Sequence, residues 1–164
     1  MMRASCGDRG AFTQIVQLCQ DRLYNAIFRM VGDWDEAMEL TQETFTRGLN
    51  RINQYTGDIS PYAWLLRIGM GLCVAALRRS RKHRAFAGAA DRADASHQAV
   101  AEALGRLETD YRAVLVMRDI DALDYREMGQ VLDLSSAALQ SRLFRARLAL
   151  RDEMREQLEN GNGQ

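Results

Sequence analysis

A single proline and only two histidines in 164 residues leave little material for several common designs. Apolar–polar alternation is equally scarce, so a sandwich or barrel has nothing to build from, and repeated helical periodicity makes an all-α protein the expectation. Cys6, Cys19 and Cys73 are odd in number and far apart, no CxxC occurs, and His83 and His97 stand at no ligand spacing. Neither a disulfide framework nor a metal site is therefore expected. No Ser/His/Asp arrangement and no phosphate-cradling glycine loop is present, which argues against an enzyme and leaves no cofactor to hold. No apolar run approaches the length of a membrane span and no signal peptide opens the chain. The expectation is a cytoplasmic protein without membrane insertion.

Net charge is also missing: the formal balance is zero, so the global basicity of many nucleic-acid binders does not show in the average. The charges are nonetheless segregated. Residues 33–43 (DWDEAMELTQE) carry five acids and no base, whereas 78–84 (RRSRKHR) carry five lysines or arginines and no acid. Such separation suits distinct surfaces for distinct partners.

The periodicity predicts a first helix over about residues 8–30, with Phe12, Ile15, Val16, Cys19, Leu23, Ile27 and Phe28 on its apolar side. Gly32-Asp33 ends it, and Asp33 or Asp35 can cap a second helix to about Leu49. That helix turns Ala37, Leu40, Thr44 or Phe45, and Leu49 inward, and Glu36, Glu39 and Glu43 outward. Residues 50–60 (NRINQYTGDIS) read as a polar loop in which Tyr55 could offer a stacking surface to an unpaired base. Ser60-Pro61 restarts a helix, serine suiting the cap and proline the first turn. It continues to about Arg79 through Trp64, Leu65, Ile68, Leu72, Val74 and Leu77. Residues 85–98 are alanine-rich with Phe86 as their one bulky apolar residue, and read as a flexible linker. The chain thus divides into two small helical domains, at 5–82 and 99–158, joined by a linker at 83–98; the final EQLENGNGQ is expected to fray.

The stretch 124–147 (DYREMGQVLDLSSAALQSRLFRAR) has the pattern of two short helices around a tight turn. Asp124 and Glu127 have capping-box spacing, each able to satisfy the other's backbone N–H. Tyr125, Met128, Val131 and Leu132 form one apolar face, Asp133-Leu134-Ser135 breaks the pattern, and Ser135 or Ser136 can cap a new helix. In this second helix Leu139, Leu143, Ala146 and Leu150 share a stripe that leaves Gln140, Ser141, Arg142, Arg145 and Arg147 largely off it. One packed helix and one presenting donors is the physical description of a helix-turn-helix DNA reader. Arginine forks match phosphate oxygens and the two major-groove acceptors of guanine, and Gln140 matches adenine or phosphate.

These pieces, in this order, resemble the extracytoplasmic-function (ECF) group of bacterial RNA polymerase sigma factors over most of the chain. Glu39, Leu40, Gln42, Glu43, Thr44 and Phe45 match a core-polymerase-binding pattern, an acidic pair followed by DLxQETF. SPYAWLLRIGMGLCVAALRRSRK is similar to the helix that reads the −10 promoter element, and the closing SRLFRAR to the domain that reads the −35 element. The resemblance implies that Glu39, Leu40, Gln42, Glu43 and Phe45 dock on the clamp helices of core RNA polymerase. It assigns the −10 strand to Asn53, Tyr55, Trp64, Arg67, Arg78 and Arg79, and the −35 element to Ser136, Gln140, Arg142, Arg145 and Arg147. It further implies that the C-terminal domain touches the polymerase flap, and that an anti-sigma factor holds the protein inactive. The chain departs from the family where asparagine is common at Gly71 and aspartate at Ala75. It departs again where glycine-isoleucine-proline is preferred at Asp133-Leu134-Ser135, a turn that aspartate still tolerates, and where GTVK gives way to Ala137-Ala138-Leu139-Gln140. A second reading is a sigma-like mimic that sequesters an anti-sigma factor without reading promoters; a third is an ordinary helix-turn-helix regulator.

Overall fold

The computed structural model describes residues 9–79 and 95–161. Helix α1 (Arg9–Val31), α2 (Trp34–Asn50), a 3₁₀ turn (Ile52–Gln54) and α3 (Pro61–Arg79) form the first unit. The second contains α4 (Ala95–Arg106), α5 (Thr109–Leu115) running on as a π turn (Val116–Ile120), α6 (Tyr125–Leu132) and α7 (Ser136–Gly161). The all-α, two-unit expectation holds. Residues 83–94 of the expected linker lie outside the described residues, and helix α4 already includes 95–98. Helix α7 also reaches Gly161, so residues expected to fray are helical.

The punctuation read from sequence works locally. Gly32 takes φ 74° behind α1, a conformation glycine adopts without steric cost. Asp33 then caps α2 by accepting from the Glu36 N–H at 2.9 Å. Ser60 Oγ accepts from Ala63 N at the start of α3, and Ser135 Oγ from Ala138 N at the start of α7. Asp133 holds the left-handed conformation (φ 55°, ψ 50°) that ends α6, so the turn stands without glycine.

The capping box of α6 closes on one side alone. Asp124 Oδ1 accepts from the Glu127 N–H at 2.7 Å, but the Glu127 carboxylate accepts from the Ser60 N–H of the first unit instead of from Asp124. Within α2 the inward position next to Leu65 belongs to Gly48, whereas Leu49, expected inward, is 40% exposed. A Cβ on Gly48 would lie 2.7 Å from Leu65 Cδ2, so the two helices approach across a residue that hydropathy patterns do not count.

One apolar cluster runs through both units. Leu23, Ile27 and Met30 of α1 meet Leu65 and Leu66 of α3, and the cluster continues into Val114, Leu115 and Met117, then Leu139, Leu143 and Ala146 of α7. Helix α1 packs on α4 and α5, and α3 packs on α6. At the junction Arg112 is 6% exposed, and its guanidinium donates to the carbonyls of Leu104, Gly105 and Leu107 and, across the units, to that of Met30. Burial lowers its pKa to about 10, still well above neutrality, so the buried group is a cation.

The turn between the π segment and α6 is strained at one residue. Ala122 sits at φ 53°, where an L side chain costs about 1 kcal/mol or more. Ala122→Gly is expected to stabilise the protein by roughly 0.5–1 kcal/mol in chemical denaturation, the relief being partly offset by glycine's extra unfolded-state entropy. A destabilised variant would show that the alanine methyl contributes packing that outweighs its strain.

Candidate functional site

Three surfaces carry the residues singled out by the sequence. On α2, Glu39, Gln42 and Glu43 are exposed on one face together with Asp35 and Met38, the last 52% exposed. Glu43 pairs with Arg47 one turn later at 2.6 Å, a contact open to solvent and worth little on its own. Leu40, expected among the binding residues, is instead 9% exposed and belongs to the core, because its helical phase points it at the other helices of the unit. Phe45 is half-buried and packed against that core. At the start of the helix Trp34 stacks on Phe28 at 4.4 Å between centroids and on Tyr24 at 5.9 Å. This aromatic stack beside the acidic face was not anticipated from the sequence.

The second surface is an open cleft of about 570 Å³ lined by Arg47, Arg51, Gln54, Trp64, Arg67, Ile68, Gly71 and Leu72. Three guanidinium groups and one indole face in α2, the 3₁₀ turn and α3 combine the two features that hold a single nucleic-acid strand, cations for phosphate and an aromatic face for a base. Trp64 and Arg67 were expected here; Arg47, Arg51 and Gln54 were not. Arg47 and Arg51 were missed because they lie at the end of a helix read for its acids.

Asn53 is exposed beside the cleft. Tyr55, read as a stacking platform, is half-buried: its ring meets Trp64 edge-on at 5.6 Å and its hydroxyl donates to Ile59 O at 2.7 Å. Its packing supports Trp64, so the free aromatic face expected at Tyr55 is not what the loop presents. Arg78 and Arg79 are exposed at the C-terminal end of α3, and residues 81–84 of the basic run lie outside the described residues.

The third surface is α7. Leu139, Leu143 and Ala146 are fully or almost fully buried, and the opposite side exposes Ala137, Gln140, Ser141, Phe144 and Arg145, with Ser136 exposed at its start. Arg142 lies on the flank, half-buried, with Nη1 3.0 Å from Asp110. Arg147 lies on the other flank and forms a two-point pair with Asp119, Nε at 3.0 Å from the carboxylate. Arg145 donates to the neutral Ser141 hydroxyl at 3.1 Å. The structure therefore sorts arginines that the sequence could not rank. Phe144, 64% exposed at the centre of the outward side, was missed because an apolar residue off the apolar stripe reads as incidental.

The chain matches the family model for sigma-70 region 2 over residues 15–83 and that for sigma-70 region 4 over residues 97–150. The chain is an ECF sigma factor. This sigma factor is 27% identical to the ECF sigma factor SigW of Bacillus subtilis across 92% of each chain. It is 31% identical to the ECF sigma factor SigE of Mycolicibacterium smegmatis, over 89% of this chain and 63% of that one. Among solved structures, CnrH in complex with the cytosolic domain of CnrY superposes with a TM-score of 0.76 at 29% identity over 92% of both chains. The sigma factor RpoE bound to the anti-sigma factor NepR of Bartonella quintana gives 0.78 at 19% identity over 88% of this chain and 97% of that one.

Membership makes the sigma factor a binding protein that gives core polymerase its promoter, not an enzyme. Among the described residues no helix is long and apolar enough to cross a membrane, and no cluster of histidine, cysteine and acids is arranged to hold a metal.

Proposed function

We propose that the three surfaces divide the work of initiation in the cytoplasm. The α2 face, Asp35, Met38, Glu39, Gln42 and Glu43, docks on the polymerase clamp helices, with Leu40 and Phe45 holding the face in place from behind. The cleft takes the −10 strand: Arg47, Arg51 and Arg67 hold phosphates and Trp64 stacks against an unpaired base, with Asn53, Arg78 and Arg79 extending the track. The outward side of α7 enters the −35 major groove. There Arg145 and Gln140 address base edges, Phe144 meets thymine methyls, and Ser136, Arg142 and Arg147 serve the backbone. The C-terminal unit touches the flap in the same complex. An anti-sigma factor completes the set of partners, in keeping with CnrH having been captured with the cytosolic domain of another protein.

The arginine-lined cleft beside Trp64 is the observation that carries this reading. A mimic that only sequesters an anti-sigma factor has no need of three cations around an open aromatic pocket. The test is transcription with purified core polymerase on a promoter library. Selective initiation from a shared −10 and −35 pattern supports the reading; binding to an anti-sigma factor with no binding to core polymerase would establish the mimic instead.

The cleft also makes a gain-of-function prediction. A Cβ built on Gly71 meets nothing within 4 Å, so a side chain fits there. Gly71→Asn places an amide at the rim and removes a helix-interior glycine, adding a few tenths of a kcal/mol to stability. Promoter output is expected to rise several-fold, with a changed preference at one −10 position, measured on the same library. Unchanged output and preference would separate position 71 from the strand.

A further inference from the structure

The arginines of α7 differ in what holds them in the free chain. Arg142 Nη1 lies 3.0 Å from the Asp110 carboxylate, and Arg147 sets Nε and Nη2 against the two oxygens of Asp119. Arg145 stands between them in sequence and bonds instead to the neutral Ser141 hydroxyl. The two acids come from separate elements, Asp110 from the first turn of α5 and Asp119 from the π turn. Turns of that kind gather at functional sites. An arginine already paired with a carboxylate brings little net charge to a phosphate, so it displaces few counterions from DNA.

We propose that Asp110 and Asp119 set the discrimination against random DNA, by neutralising the two arginines that serve the DNA backbone while Arg145 keeps its charge for base edges. Affinity for any duplex grows with each phosphate that a cation neutralises, whatever the sequence. Two occupied guanidinium groups withdraw that share, and the chain's formal charge of zero adds no overall attraction in its place. Base reading by Arg145 is untouched, so the ratio of promoter to random binding rises. The pairs also exchange readily. The Asp110 and Asp119 side chains are 64% and 37% exposed, and ion pairs so open to water are weak. Once polymerase holds α7 at a −35 element, the local phosphate concentration is high enough to compete for both arginines. The neutralisation is a property of the free chain; its consequence for initiation rests on the promoter reading above.

The test is a titration of labelled random-sequence duplex with the free full-length protein, followed by anisotropy at several salt concentrations. Asp110→Asn combined with Asp119→Asn is expected to bind roughly 5- to 10-fold more tightly per residue changed at low salt, with a log–log salt slope steeper by about two. Asp21→Asn with Glu159→Gln makes the same change in net charge at exposed acids outside these pairs, and its slope should stay near the parent's. Adding Arg147→Ala to Asp119→Asn should cancel the gain that Asp119→Asn gives alone. Circular dichroism checks the helices, and Asp110→Asn alone, with a slope change of about one, serves should the double variant fold poorly. With polymerase at limiting sigma factor, random competitor DNA should suppress the double variant several-fold more than the parent. A slope equal to the parent's or to that of the charge control would overturn the proposal, as would a gain that survives the loss of Arg147. Weaker binding by the double variant would show that the carboxylates position the arginines for phosphate and do not withhold them. Tighter random binding with unchanged sensitivity to competitor would overturn the consequence for initiation. Failure of the parent protein to initiate anywhere would instead sink the promoter reading and leave the duplex titration standing.

Discussion

Arg112→Met should lower the stability of the protein by about 3 kcal/mol, the cost of stranding acceptors that a charged donor had satisfied. Buried ion pairs are often replaced by apolar groups without loss, since desolvation of both charges is recovered. That relief does not apply here, because the partners of Arg112 are main-chain carbonyls of Leu104, Gly105, Leu107 and Met30, which stay behind after any substitution. Three of them end α4 and the turn after it, and the fourth lies at the end of α1, where helical carbonyls lack partners of their own. Hydrogen bonds to a charged group are worth about 1.5–3 kcal/mol each, but water entering the opened site recovers part of the sum. For a chain of this length the expected loss corresponds to a melting temperature lower by roughly 6–12 °C. Arg112→Lys should recover less than half, since an ammonium cannot span the same fan of acceptors. Urea unfolding of the three proteins measures the series, and a methionine variant within about 1 kcal/mol of the parent would show that the carbonyls find other donors.

The same arginine shows where a linear sequence stops informing. Helices were legible because their ends are local chemistry: Asp33, Ser60, Asp124 and Ser135 accept from N–H groups three residues on. Asp133 turns left-handed where a polar residue interrupts a stripe. Arg112 stands among the apolar residues of α5 and drew no notice in the sequence, since nothing nearby in sequence tells that Met30 O waits 82 residues away. The exchange of Gly48 for Leu49 has a similar origin. Periodicity counts side chains that gain by burial, whereas Gly48 is buried because the Leu65 side chain leaves no space for a Cβ. The docking of the two units was illegible for a third reason: Glu127 has two acceptable partners, Asp124 N and Ser60 N, and only the assembled fold brings the second within reach. Of the candidate sites, the exposed acids of α2 and the donors of α7 were legible as classes. On α2 the outward Glu39 and Glu43 were legible one by one; on α7 the division between the outward Arg145 and the flanking Arg142 and Arg147 was not.

Arg145→Ala is expected to cut promoter-directed initiation about tenfold or more, and to do so by relaxing preference at one −35 base pair. Arg142→Ala and Arg147→Ala should act differently. Arg142 is half-buried against Asp110 and Arg147 is held by Asp119, so each approaches DNA with its fork partly engaged. Arg145 projects from the outward side of α7 beside Phe144, and its bond is to a serine hydroxyl that a guanine can replace. A bidentate arginine–guanine pair is worth about 1–3 kcal/mol of discrimination, or roughly 5- to 150-fold. A lost phosphate contact instead weakens all templates alike and lowers the salt slope by about one. Initiation from a parent promoter and from single-base −35 variants, at two salt concentrations, separates the cases. For Arg145→Ala the parent and variant promoters should converge; for Arg147→Ala their ratio should persist while all fall together. Because polymerase supplies much of the total affinity, the loss will be clearest at limiting sigma factor, and saturating protein should hide part of it. Full, sequence-selective activity of Arg145→Ala under limiting conditions would remove this side of α7 from the groove. It would then leave the flanks, with Arg142 and Arg147 released from their carboxylates on binding, as the DNA-facing surface.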